Sequence, residues 1–139
     1  MRFQIQTKGH GDTIDITDEV SLCVSKSKVK SGIVHVFVPG STAAITTIEY
    51  EPGVVEDLKD TFEKIAPEMF DYKHHQKWGD GNGAAHIKSA IVGTDFNVPI
   101  ENGQLQLGTW QQIVLIDFDE KPRSREIIVK VILGQPSKK

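Results

Sequence analysis

Disulfide partners, long apolar runs and a strong charge of either sign are all missing from this sequence. The chain has a single cysteine, Cys23, so it cannot form an internal disulfide, and a reducing, cytoplasmic location is predicted. No apolar run approaches the roughly 20 residues that span a bilayer. The formal net charge is −3, without the basic excess of nucleic-acid-binding proteins. These absences predict a cytoplasmic protein that binds neither nucleic acid nor membrane.

The composition is typical of one globular domain. Hydrophobic residues make up 38% and charged residues 25% of the 139 residues, and a chain of this length can bury a core without disulfides. The sequence contains no repeat or linker, and only the ending GQPSKK has the composition of a disordered segment. We therefore predict a single domain over residues 1–134 and a disordered tail at 135–139.

Apolar periodicity predicts strands at both ends of the chain and helices between them. The first helix is predicted to begin with Thr17 as its N-cap, and the second follows an apolar stripe that ends before Pro67. Residues 84–92 fit either a strand or a short helix. The predicted strands are 2–8, 33–38, 42–49, 96–100, 105–119 and 125–133.

Short turns join most of these strands, including an Asn102-Gly103 hairpin turn. Strands joined by short turns run antiparallel, and the chain does not alternate strand and helix throughout. We therefore predict an α+β fold with a mainly antiparallel, sandwich-like sheet and two to three helices.

Three of the five histidines surround a glycine-rich turn, in the stretch YKHHQKWGDGNGAAH. Neutral imidazole is the commonest zinc ligand, and catalytic zinc has three protein ligands plus water. Adjacent histidines do not easily face one metal, so His74 and His86 are the preferred pair, in one pocket with a carboxylate from elsewhere. Alternatively, His74 and His75 are solvated and His86 is a core residue, since no H-E-x-x-H pattern is present.

A second group of polar residues has the chemistry of an anion site. The turn at Gly40 offers hydroxyls and backbone N–H groups, and two arginines two residues apart share one strand face and suit phosphate. A plain loop-to-strand turn and a charged hairpin end are the alternative explanations. The candidate phosphate ligands are Ser41, Thr42, Lys88, Arg123 and Arg125.

Two further strand residues are candidates for chemistry. Glu49 ends its strand and can serve as a ligand or a general base, or simply be a surface carboxylate. In LGTWQQ, Gln111 can hydrogen-bond a heterocycle, and Trp110 is expected in the core or at a subunit interface. For His35 and His10 we favour structural roles, the first packed and the second solvated.

Read together, these segments resemble the YjbQ-like family, often labelled secondary thiamine-phosphate synthase. AHIKSAIVG and LGTWQ carry the resemblance, which extends from residue 2 to about residue 134. It implies an α+β homotrimer whose site lies near the subunit boundary, where histidines and a glutamate gather and metal is sometimes bound. The polar family positions fall on Thr42, Glu49, His74, His86, Lys88, Gly108, Trp110, Gln111 and Arg125.

Three positions depart from the family pattern. Gly40 stands where relatives often have a histidine, and Ile48 stands where an asparagine frequently precedes the glutamate. His75 occupies a position where many relatives have aspartate. We predict that His75 either binds the metal in place of the group missing at Gly40 or points to solvent.

The resemblance implies an enzyme that joins an aminopyrimidine diphosphate to a thiazole phosphate and releases pyrophosphate. A divalent ion, zinc or magnesium, would hold the diphosphate together with the arginines and the Ser41 turn, while Gln111 would hold the pyrimidine. His86 or Glu49 would act as acid, base or metal ligand. The alternative is a trimeric metal-binding protein that binds a small phosphorylated metabolite, or a metal-dependent hydrolase of one.

Overall fold

Eight β-strands and four α-helices make up residues 1–136, the part of the chain that this computed structural model describes. In chain order they are β1 (Arg2–Thr7), β2 (Asp12–Asp15), α1 (Thr17–Ser27), β3 (Gly32–Phe37), β4 (Ala43–Ile48), α2 (Pro52–Ile65), α3 (Lys73–Trp78), α4 (Gly83–Val92), β5 (Asp95–Glu101), β6 (Gln104–Leu105), β7 (Gln112–Asp117) and β8 (Arg123–Leu133). Residues 137–139 of the predicted tail lie outside the described residues. No described helix has both the length and the apolar character needed to cross a bilayer.

The strands form two antiparallel sheets. The larger sheet has the order β1-β8-β3-β5-β6, and the smaller has the order β2-β7-β4. The α+β fold with mainly antiparallel sheets is therefore confirmed. Four helices are found where two to three were predicted, because α3 is too short to give an apolar period and lies in a segment that reads as a loop.

The main core lies between the two sheets. Alternate residues of β3, β5 and β8 face alternate residues of β4 and β7, and α1 adds Val20, Cys23 and Val24. Leu115 is at the centre of the smaller sheet, paired with Ile14 on one side and Ile45 on the other. This packing fixes the face of each strand, and so decides which polar side chains at the strand ends are buried.

A second core covers the other face of the smaller sheet. Phe62 of α2 packs edge-to-face on Phe118, with ring centroids 5.2 Å apart, and Ala85 of α4 joins them. The small residues of α4 let it lie close to β4, where Ser89 Oγ donates a hydrogen bond of 2.6 Å to the Ala43 carbonyl. This close packing explains why residues 84–92 form a helix.

The segment predicted as one strand over 105–119 is interrupted. The Gly108 N–H donates to Gln111 Oε1 at 3.0 Å, and the Gln111 N–H donates to the Gly108 carbonyl at 3.1 Å. This small turn separates β6 from β7 and lifts Trp110 out of the sheet. Trp110 is 73% exposed, so it does not lie in the core. Of the two predicted locations for Trp110, the core and a subunit interface, only the second stays a prediction.

Candidate functional site

The hairpin formed by α3 and α4 brings two of the predicted metal ligands together. Gly79 ends α3 in a left-handed conformation (φ +72°), which lets the chain turn back toward α4. The ring centroids of His74 and His86 are 4.6 Å apart, and the planes are tilted by 44°. The two imidazoles therefore share one cleft, and their role as ligands stays a prediction.

Two polar atoms in this hairpin lack the partner that burial demands. His74 Nδ1 lies 2.9 Å from Asp80 Oδ1, close enough for an ion pair. The carboxylate is nevertheless poorly aligned, so that Nδ1 is buried without a hydrogen bond among the described residues, as is Asn82 Oδ1. Asn82 Oδ1 can accept a hydrogen bond from a ligand or a bound water, and His74 Nδ1 can bind one if the Asp80 carboxylate moves aside.

His75 has a role that the sequence did not predict. Its Nε2 accepts a hydrogen bond of 2.8 Å from the N–H of Gly83, the first residue of α4. This nitrogen therefore carries no proton in that bond and satisfies a free donor at the start of the helix. His75 is used to hold α3 against α4, and the same nitrogen is not free to take the place of a group missing at Gly40.

The cleft beside the histidines is open and largely apolar. Its volume is about 710 Å³, and Phe70, Tyr72 and Ile87 line it together with His74 and His86. Phe70 and Ile87 are exposed. A cleft with apolar walls and a few convergent polar groups is the usual form of a small-molecule site.

Arg125 lies in a buried network rather than in an open anion site. Its Nε and Nη2 donate to the carboxylate of Asp117 at 2.7 and 2.9 Å, and Nη2 also donates to Thr42 Oγ1 at 2.7 Å. Asp119 accepts hydrogen bonds from Thr42 and from Arg123. Two carboxylates thus balance the two arginines, which weakens the attraction that this pair can offer to phosphate.

The pKa values of Asp117, Asp119 and Arg125 are all shifted in favour of their charged forms. Burial by itself raises the pKa of Asp117, but hydrogen bonds from Arg125, Thr7 and the Asp119 N–H outweigh it, so the pKa is lowered. The pKa of Asp119 is also lowered against the effect of burial, first through the N–H of Glu120. The hydrogen bond to Asp117 raises the pKa of Arg125.

We expect the free energy of unfolding to fall as the pH drops below about 4. Folding lowers the pKa of Asp117 and Asp119, so their contribution is complete above the unfolded pKa of about 3.9 and is lost as the pH falls through the lower folded values. Denaturant unfolding between about pH 7 and about pH 3 measures this. Asp57→Asn, at an exposed position of α2, should leave the profile unchanged. Constant wild-type stability to about pH 3 would contradict the expectation.

One donor of Arg125 still faces the turn at Gly40. A Cβ built on Gly40 would lie 3.2 Å from Arg125 Nη1, and this nitrogen makes no hydrogen bond among the described residues. Ser41 is exposed beside it. The predicted anion site is thus reduced to this turn and a single guanidinium nitrogen.

Lys88 does not join the arginines. It is 4% exposed, and its Nζ lies 2.5 Å from Glu63 Oε1 and 5.9 Å from the centre of the Phe118 ring. Phe118 belongs to the second core, on the opposite face of the smaller sheet from Asp117. Lys88 and Arg125 therefore lie on different sides of that sheet.

Glu49 and Gln111 lie at the other end of β4 from the histidines. Gln111 Nε2 donates to Thr47 Oγ1 at 3.1 Å, and the exposed Glu49 follows the strand directly. By contrast, Ser89 of α4 donates a hydrogen bond to Ala43, at the opposite end of β4. His86 is about one helical turn before Ser89 and therefore lies near that end. Because Ala43–Ile48 spans about 17 Å, one protomer does not bring these groups into a single site.

Asp117 and Asp119, the two carboxylates that hold the arginines, were not predicted from the sequence. The stretch IDFDE contains a usable signal, because alternate residues at a strand end share a face. Glu63 was missed as the partner of Lys88. It lies on α2, and nothing in the spacing of two separate helices indicates which residues meet.

The histidine cluster offers part of the donor set that a metal site needs. The imidazoles of His74 and His86 are adjacent, and His74 Nδ1 is buried without a hydrogen bond. Within residues 1–136, no three His, Cys, Asp or Glu side chains are arranged to hold a metal ion. The donors of one protomer therefore fit two of the three ligands that a catalytic zinc ion takes from protein.

Comparison with known proteins gives one consistent result. The family model described as UPF0047 protein YjbQ-like matches residues 1–134. A UPF0047 protein of Archaeoglobus fulgidus is 39% identical over 132 residues, covering 95% of this chain and 100% of that protein. UPF0047 protein YugU of Bacillus subtilis is 38% identical over 131 residues, covering 94% and 96%.

Solved structures agree with the sequence comparison. The crystal structure of an uncharacterized conserved protein of the YjbQ/UPF0047 family from Clostridium acetobutylicum has a TM-score of 0.87 and 39% identity, covering 95% of this chain and 99% of that one. A YbjQ-like protein of unknown function from Sulfolobus solfataricus has a TM-score of 0.88 and 32% identity, covering 96% and 97%.

Proposed function

Because this chain belongs to the UPF0047 family of YjbQ-like proteins, we propose that it binds a divalent metal ion through His74 and His86 and a small phosphorylated metabolite beside it. The observation that carries the proposal is the ring of His86 next to that of His74, whose buried Nδ1 makes no hydrogen bond although Asp80 Oδ1 lies 2.9 Å away. A buried polar atom without a hydrogen bond calls for a partner. Two imidazoles prefer zinc, whereas magnesium prefers oxygen ligands.

The residues of the cleft have separate roles in this proposal. When bound, the ion would act as a Lewis acid toward a phosphoryl oxygen or a water molecule. His75 keeps α3 docked on α4 through Gly83 and so keeps the two ligand histidines adjacent. Phe70 and Ile87 provide an apolar wall for the organic part of the metabolite and exclude water from it.

A homotrimer would supply what one protomer lacks. The histidines lie near one end of β4 and Glu49 near the other, so a head-to-tail contact between copies could bring the two ends together. Glu49 would then be the third ligand or a general base, and Gln111 would bond the metabolite. Support comes from the exposure of Trp110 beside Gln111 and of further apolar side chains, among them Ile33, Ile132 and Leu133.

Thiamine-phosphate synthesis is the second candidate function, with zinc- or magnesium-dependent hydrolysis as a variant of the first. The synthase is favoured by Arg125 Nη1, which faces the turn at Gly40 and Ser41 and could hold one oxygen of a diphosphate. Formation of thiamine phosphate with release of pyrophosphate would support the synthase. Release of inorganic phosphate from a single substrate would support the hydrolase.

The first test is zinc binding by isothermal titration and elemental analysis. We expect His86→Ala to lower zinc affinity by at least about 100-fold, because even groups that only support a ligand change affinity by about 10- to 100-fold. His35→Ala is the matched control, since His35 lies on the larger sheet and bonds Asn97. Equal zinc binding by wild type and His86→Ala would overturn the metal proposal.

A further inference from the structure

A separate cavity lies behind the smaller sheet. It has a volume of about 270 Å³, is partly open to solvent and is lined by residues of α2, α4 and the turn before β2. Its apolar wall is formed by Leu58, Phe62, Ile116 and Phe118. His86 faces a different cleft, because its side chain points about 200° around α4 from that of Lys88, which lines this cavity. The cavity is therefore distinct from the proposed metal site.

Lys88 brings unused hydrogen-bond donors to this cavity. Its ammonium group has three donors, and its one hydrogen bond among the described residues is to Glu63. Lys88 is also 4% exposed, so bulk water has little access to the remaining donors. A buried ammonium group beside an apolar cavity is costly unless an acceptor fills those positions.

The charges of the lining allow no more than a single negative charge on that acceptor. At the rim, His10 Nδ1 lies 3.1 Å from each carboxylate oxygen of Glu68, so this pair is engaged with itself. The remaining charged residues of the lining are Lys88 and Lys59 against Glu63. The pKa of Glu63 is lowered although burial raises it, first through its hydrogen bond from Lys88, so Glu63 stays ionised. The lining thus has two lysines and two carboxylates, Glu63 and Glu68, and no excess of positive charge to hold a doubly charged ligand.

We propose that this cavity binds a small monocarboxylic acid with an apolar or aromatic body. The carboxylate would accept hydrogen bonds from Lys88 and lie within the attraction of Lys59, while the body packs on Phe62 and Phe118. A phosphate dianion fits less well, since the lysines and carboxylates of the lining balance and its surface is mostly apolar. The site uses neither His74 nor His86, so the benzoate and zinc experiments test the two proposals independently.

The test is titration with benzoate, followed by amide chemical shifts and by calorimetry. Wild type should bind benzoate, and the amide signals that shift on binding should belong to residues around the cavity. It should bind the neutral benzyl alcohol at least about tenfold more weakly than benzoate. Glu63→Gln should tighten benzoate binding by at least about tenfold, because it removes the repulsion and frees a Lys88 donor. Lys88→Met should weaken it by at least about tenfold, because the cavity keeps its shape but loses the cation.

Two controls separate the possible outcomes. The double variant Glu63→Gln/Lys88→Met removes both charges, so it tests the cavity even where Lys88→Met alone folds poorly, and it should bind benzoate no better than benzyl alcohol. His86→Ala should bind benzoate like wild type. The proposal is overturned by absence of benzoate binding in both wild type and Glu63→Gln, or by equal benzoate affinity in wild type and the double variant.

Discussion

Replacing Arg125 with methionine is expected to lower the free energy of unfolding by about 3–5 kcal/mol. Methionine keeps an unbranched apolar side chain, which ends where the guanidinium group begins, but leaves Asp117 and Asp119 without their shared cation. Their side chains are 0% and 1% exposed, so neither carboxylate can be solvated in its place. Breaking one side of a buried ion pair is costly because an uncompensated charge remains inside the protein.

Denaturant unfolding at neutral pH measures this loss. Arg2→Met is the matched control, because Arg2 forms a 2.7 Å pair with Glu126 in which the two side chains are 64% and 35% exposed. An exposed pair of this kind contributes at most about 1 kcal/mol. Similar losses in the two variants would show that the Arg125 network does not stabilise the fold as proposed.

The same variant also bears on function. If Arg125 acts mainly through Asp117 and Asp119, lysine at this position should restore part of the stability, because it keeps the charge without the bidentate geometry. If its main role is to hold a diphosphate through Nη1, the loss of stability should be small and the loss of synthase activity large. The folded network favours the first result.

Truncation of Leu115 to alanine is expected to destabilise the fold by about 2–5 kcal/mol. Leu115 is fully buried at the centre of the smaller sheet, between Ile14 of β2 and Ile45 of β4. Its removal leaves a cavity in the core between the two sheets, and backbone pairing on both sides of β7 prevents the strands from moving in to fill it.

Leu22→Ala on α1 is the control for this second variant. It removes the same atoms from a side chain that is 55% exposed, and a change within about 0.5 kcal/mol is expected. Thermal or denaturant unfolding of both variants checks the pair. A loss below about 1 kcal/mol for Leu115→Ala would mean that the core between the sheets is less tightly packed than the structure indicates.

Much of the fold could be predicted from local patterns of apolar and polar residues. Six predicted strands correspond to β1, β3, β4, β5, β7 and β8, because apolar residues alternate along half-buried strands and run continuously along a strand buried on both faces, such as β7. The apolar stripe of α2 predicted that helix for the same reason. The misses were β2 and α3, which are too short for a period to show, and the break before β7, which depends on the side chain of Gln111.

The arrangement of the candidate site was harder to predict from the sequence. The glycine-rich turn between His74 and His86 indicated that they lie close together, and the ring distance of 4.6 Å agrees with a shared cleft. The same reasoning grouped Lys88, Arg125 and Glu49 with them, whereas the fold places these residues in three different surroundings. Local spacing tells which face of an element a side chain occupies, but not which element lies opposite.

The sequence by itself determined the class of the fold, most of the strands and the membership of a family. These properties depend on apolar periodicity and on motifs such as AHIKSAIVG, and both consist of residues close together in the chain. Only the tertiary structure decided that Asp117 holds Arg125, that Glu63 holds Lys88 and that β4 separates Glu49 from His86. The physical reason is that charge pairing and burial depend on contacts between residues far apart in the chain, and these arise only when the two sheets and the helices pack together.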